Sequence, residues 1–139
     1  MRNMFKKSRV ICLLGLLLAL VGCSQINNKV NLDEDLFENG QKLTQYYSQA
    51  IQENEEPSDE VTKLADDFQV AYETGDYSSE DEELFISDIV LIKNSYELYV
   101  MAKGTENITG EDQNSEGIKI QIKDKLTEMN ELFGVQYEK

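Results

Sequence analysis

Residues 84–101 read LFISDIVLIKNSYELYVM, and no other stretch narrows the possible folds as much. Leu84, Phe85, Ile86, Ile89, Val90, Leu91, Ile92, Tyr96, Tyr99, Val100 and Met101 return at intervals of three and four, which is helical spacing. Between Ile89 and Ile92 the apolar residues circle the whole helix. A helix that is apolar on nearly every side must touch several neighbours at once. Just ahead, SEDE at 79–82 matches a capping box, and Gly104 is the expected stop. The pattern therefore predicts a central helix with the remainder of the chain packed round it.

Three further amphipathic stretches are available for that packing. The first, Asn31 to Gln52, carries Leu32, Leu36, Leu43, Tyr47, Ala50 and Ile51 on one stripe. Asn31 could cap it, and Asp33 and Glu34 suit the positive pole of the helix dipole. Glu53, Glu55 and Glu56 oppose the negative pole, so fraying is expected before Pro57. The second runs from Ser58 to Thr74 with Val61, Leu64, Ala65, Phe68, Ala71 and Tyr72 on its apolar face. Ser58 serves as its N-cap, Gly75 as its left-handed stop, and Asp59 with Lys63 as an i,i+4 ion pair.

The third stretch spans Ser115 to Phe133. Ile118, Ile120 and Ile122 alternate with polar residues, which is also a strand pattern. The face Ile118, Ile122, Leu126, Met129, Leu132 and Phe133 continues for four helical turns and favours a helix, with Gly134 and Val135 fitting a C-terminal cap. Residues 104–114, GTENITGEDQN, read as a loop. The expected fold class is all-α: a small four-helix bundle, mostly antiparallel. About 105 ordered residues bury enough surface to fold without disulfides.

What precedes the bundle has a different character. Arg2, Lys6, Lys7 and Arg9 open the chain, no acidic residue occurs before Asp33, and Val10 to Val21 form one apolar run. As a helix that run spans about 18 Å, short of a hydrocarbon core of roughly 30 Å. A basic start, a short apolar middle and a small-residue exit describe an export signal. A free thiol at Cys23 would need folded surroundings, yet SQINNKVN behind it is polar; a disulfide to Cys12 would place one sulfur inside the apolar run.

LVGC at 20–23, behind that leader, resembles the lipobox of bacterial lipoproteins. The resemblance implies cleavage between Gly22 and Cys23 and a diacylglyceryl thioether on Cys23, which becomes the first residue of the mature protein. The organisation it implies is a signal peptide over 1–22, a lipidated tether over 23–30 and an acidic helical domain over 31–139. Two acyl chains would hold that domain on the outer face of the cell membrane almost permanently. Heavy use of Lys, Asn and Glu associates the chain with low-GC Gram-positive bacteria.

The whole chain carries 13 basic and 27 acidic side chains; beyond Cys23 nine basic against 27 acidic remain, a net of −18. Such a body repels nucleic acids and anionic lipid headgroups and attracts cations. There is no His, and beyond Cys23 no Cys, so the usual nucleophile–base pairs and zinc ligand sets are missing from the sequence. The glycines are scattered and make no phosphate-cradling loop. EDEE at 80–83 reads as acids favoured in a first helical turn. A calcium loop begun at Asp76 fails, because Asp81 and Ser87 stand where Gly and Glu are needed. No catalytic residue, metal site or cofactor is therefore expected.

Tyr46, Tyr47, Tyr96 and Tyr99 are the candidate partner-binding residues. They read as rings at the edge of the core or as a tyrosine-rich patch on an acidic surface, suited to cationic peptides or proteins. The expectation is a non-enzymatic, membrane-anchored interaction module. In size and layout it is similar to immunity lipoproteins, which intercept cationic bacteriocins. GLLLALVG at 15–22 is also similar to the hydrophobic octapeptide pheromones that enterococci release from lipoprotein signals, which makes a pheromone precursor the alternative. A small receptor or enzyme accessory subunit is a third.

Overall fold

The computed structural model describes residues 30–53 and 56–137. Four helices and no strand occur among them: α1 (Glu34–Glu53), α2 (Asp59–Thr74), α3 (Glu80–Thr109) and α4 (Ser115–Phe133). The alternation at Ile118–Ile122 belongs to α4, where Ile122 is buried and Ile120 faces solvent. A helical face that continues through Leu126, Met129 and Phe133 outweighs an alternation with no second strand to pair with.

Each helix begins and ends for a local reason, and two boundaries differ from the pattern in the sequence. The cap of α1 is Asp33 and not Asn31: Leu36 N–H donates to Asp33 Oδ1 at 3.1 Å. Ser58 caps α2 by accepting from Val61 N–H at 3.3 Å, and Gly75 ends it at φ 68°. Asp59 and Lys63 do not close an ion pair. Ser79 caps α3 through Glu82 N–H at 3.2 Å. The reciprocal half of the box closes one residue early, because the Glu82 carboxylate takes the N–H and hydroxyl of Ser78 at 2.8 and 2.6 Å.

α3 does not stop at Gly104 but continues to Thr109, where Gly110 at φ 72° ends it. Glycine inside a helix costs only about 1 kcal/mol, and Thr105 and Glu106 on its far side are tied into structure. Thr105 Oγ1 donates to Met101 O at 3.0 Å, and Glu106 holds the start of α4. The connection between α3 and α4 shrinks to residues 110–114.

The ring contacts give the topology. Phe37 stacks on Phe85 and Tyr47 lies against Tyr96, so α1 and α3 run in the same direction. Phe68, late in α2, meets Phe85, and Lys125 of α4 reaches Asp88, so α2 and α4 run against them. The bundle is up-down-up-down, with neighbours antiparallel. α3 touches all three other helices, α1 touches all three as well, and α2 and α4 do not meet.

The short diagonal between α1 and α3 rests on Gly40, because a Cβ there would overlap the ring of Phe85. Phe85 is fully buried and receives one phenylalanine from each other helix: Phe37 at 6.1 Å, Phe68 at 6.4 Å and Phe133 at 5.0 Å between centroids. After Gly134, at φ 76°, the chain turns back and buries Val135, whose carbonyl accepts from Asn130 Nδ2 at 2.6 Å. At the other terminus Val30 and Leu32 pack partly buried against the core, so the last residue of the expected tether is already in contact with the bundle. None of the described helices is long and apolar enough to cross a membrane. Residues 1–29, Gly22 and Cys23 included, lie outside the described residues, and with them all of the expected tether but Val30.

Candidate functional site

The four tyrosines singled out in the sequence do come together. Tyr46 and Tyr47 leave adjacent positions of α1 and meet Tyr96 of α3 at 6.1 and 5.3 Å, and Tyr99 follows one turn on at 6.3 Å from Tyr96. Their packing is edge-on or tilted, as ring quadrupoles prefer. Tyr99 Oη lies 3.5 Å from Ile51 O, a long contact that ties the far end of α1 to α3.

The cluster is more interior than a surface patch would be. Tyr47, Tyr96 and Tyr99 are 4, 8 and 3% exposed, and only Tyr46 is half-buried. Burial, with Glu97 nearby, pushes the Tyr47 hydroxyl far above its ordinary value of 10.0. Burial also raises Tyr99. What these rings offer a partner is an edge and not a face. The sequence could not separate the two, because α2 covers the cluster from a third direction that helical periodicity within α1 and α3 does not encode.

The edge of the cluster opens into two adjoining depressions. One is a small cleft of about 120 Å³ between α1, α2 and α3, bounded by Tyr46, Tyr47, Val61, Ala65, Asp66 and Tyr96. The other is a shallow groove of about 690 Å³ where α3 runs beyond the α1–α2 connection. Its floor is Tyr96, Val100, Met101 and Gly104; Glu56, Glu97 and Lys103 stand on its rim. Lys93 is tied to Glu97 at 2.8 Å. An apolar floor with charges of both signs at the border suits an amphipathic segment.

Other acidic groups are occupied structurally. The EDEE acids fill the first turn of α3. Glu106 accepts from Gln113 N–H at 3.1 Å and from the N–H and hydroxyl of Ser115 at 3.0 and 2.6 Å. The Ser115 hydrogen bonds hold the Glu106 carboxyl below its ordinary value. Asp88 is buried on α3; its Oδ1 takes Lys125 Nζ at 3.1 Å while its Oδ2 has no partner. Burial raises Asp88, and the Lys125 hydrogen bond and charge hold it back only in part. Burial also pulls Lys125 down, but Glu128 and Asp88 more than offset this and leave its ammonium above the usual lysine value. No group of three or more His, Cys, Asp or Glu among the described residues is arranged to hold a metal. Compared with protein families, with curated proteins and with solved structures, the chain matches none.

Proposed function

We propose that this chain is a bacterial lipoprotein, anchored through Cys23 on the outer face of the cell membrane, whose acidic bundle binds a cationic peptide or protein without catalysing a reaction. The observation that carries the proposal is the order of features in the sequence: a basic and apolar leader, LVGC, and then a body of net −18. The shallow groove over Tyr96, Val100 and Met101, with Glu56, Glu97 and Lys103 at its border, offers an amphipathic partner an apolar floor, and the net charge of the body favours a cationic one. Long-range attraction to the body would bring such a partner in, and the apolar floor would retain it.

The test has two arms. Cells producing the full chain are labelled with a palmitate analogue; label on the wild type, lost in Cys23→Ala together with membrane retention, is expected. An unmodified polypeptide that begins at Met1 overturns the anchor. In the second arm, cells with and without the gene are challenged with cationic amphipathic peptides. Greater sensitivity in the deletion strain, restored by the wild type and not by Glu97→Lys with Met101→Lys, is expected; equal sensitivity overturns the binding role.

A further inference from the structure

Beyond α4 the chain turns at Gly134 and lies back along the seam between α1 and α4, where three side chains hold it. Gln41 of α1 grips Gln136 by both main-chain groups: its Oε1 accepts the N–H at 2.8 Å and its Nε2 donates to the carbonyl. A neighbouring strand makes the same two bonds, and a residue presents both groups on one side only when its backbone is extended. Asn130 of α4 donates to Val135 O at 2.6 Å, and the Thr127 and Tyr137 hydroxyls lie 2.8 Å apart. Burial alternates as along a strand: Val135 is completely buried, Gln136 exposed and Tyr137 half-buried. Among the described residues Val135 is the one buried apolar side chain outside the four helices. Past Tyr137 the seam continues as a depression of about 280 Å³, between Ser48, Ile51 and Gln52 of α1 and Lys123 and Leu126 of α4.

We propose that residues 135–137 are a releasable strap, and that the seam beneath them is a binding site for an extended peptide with a β-branched residue followed two places on by tyrosine. Side chains of α1 and α4 satisfy the strap's amide groups, so it is held as a receptor holds an extended ligand: main-chain hydrogen bonds for grip, pockets at alternate residues for selection. Lifting it takes one apolar side chain out of the core and leaves Phe85 among its three phenylalanine neighbours. A segment with so few buried contacts opens locally while the rest of the domain stays folded. The seam is also longer than the strap. From Gln41 to Gln52 α1 rises about 17 Å, room for about five extended residues at about 3.3 Å each. A ligand that also reached Ile51 and Gln52 would add contacts to those of residues 135–137 and displace them. At rest the strap keeps the site closed.

The site lies apart from the groove over Tyr96 and does not depend on the anchor or on the cationic partner. Amide exchange of the full chain in a nonionic detergent, followed by NMR, tests the strap. The Gln136 amide should exchange at least tenfold more slowly than in a free peptide of residues 134–139, yet at least a hundredfold faster than Leu126. Gln41→Ala should remove the protection of Gln136 and leave that of Leu126 unchanged. An unprotected Gln136, one that exchanges together with Leu126, or a loss at both in Gln41→Ala overturns the strap. The same peptide carrying a fluorophore tests the site by anisotropy. Aspartate is too costly at the buried position of Val135, so Val135→Asp in the full chain leaves the seam vacant. The peptide should bind that variant at least tenfold more tightly than the wild type, and adding Gln41→Ala should abolish the difference. Equal binding to both chains, or none to either, overturns the site. Helix content of Val135→Asp should match the wild type, and its collapse would overturn release without unfolding.

Discussion

At the scale of single residues, two glycines in helix interiors make opposite predictions. Ala in place of Gly ordinarily gains about 1 kcal/mol in a helix. At Gly40 a Cβ would overlap the Phe85 ring, which is wedged among three other phenylalanines and cannot step aside. Overpacking of that kind costs about 1–3 kcal/mol, so Gly40→Ala should lower stability in urea titration. Gly104 has nothing within 4 Å of the same position, and Gly104→Ala should raise stability by about 0.5–1 kcal/mol. Asp88 makes a pH prediction. Its folded carboxyl titrates above the ordinary 3.8, so between that value and the raised one the folded state binds more protons than the unfolded. Asp88 therefore contributes stability at low pH that is lost as pH rises through the window. Glu82 and Glu106 act the other way: Ser78 and Ser115 hold them below 4.5, and their contribution is lost as pH falls through the lowered values. Melting temperature should rise from neutral pH into the Asp88 window and then fall at stronger acidity, and Asp88→Asn should flatten the first limb alone.

At the scale of helices, the least expected contact is the capping of α4. Its N-cap Asn114 sits at φ 62° and makes no side-chain cap bond. Glu106, from the last turn of α3, accepts the Gln113 and Ser115 N–H groups in its place. Glu106→Ala should leave α1 and α2 intact and speed hydrogen exchange at Gln113 and Ser115, which amide exchange followed by NMR would resolve. Helical periodicity made the four helices, the capping by Ser58 and Ser79 and the stops at Gly75 and Gly134 legible in the sequence, because each depends on residues within one turn. The overrun of α3 past Gly104 was not legible, since it depends on a carboxylate reaching nine residues forward. Nor was the burial of Tyr47 and Tyr96, which α2 helps to cover, or of Tyr99, which lies against the far end of α1. Leu91 shows the same limit from the other side: all-round apolarity at 89–92 suggested contact on every side, yet Leu91 faces solvent.

For the whole molecule the governing quantity is charge. Among the described residues three ion pairs occur, and two of them share Lys125. Most of the acids, Glu38 on α1 and Asp67 and Glu73 on α2 among them, are thus solvated and repel one another. Such repulsion is weak pair by pair but extends over the molecule when the screening length is long, and the unfolded chain relieves it by expanding. Raising NaCl from about 20 mM to about 0.5 M shortens the screening length from roughly 20 Å to about 4 Å. The folded state gains more than the expanded one from that change, so the melting temperature should rise, by about 4–8 °C for each 1 kcal/mol relieved. Salt could also act by strengthening apolar burial. Glu38→Gln with Asp67→Asn separates these, because both acids are exposed and their removal relieves repulsion without touching the core. That variant should melt above the wild type at low salt and gain less on adding NaCl; equal salt gains in both would assign the effect to burial and not to charge.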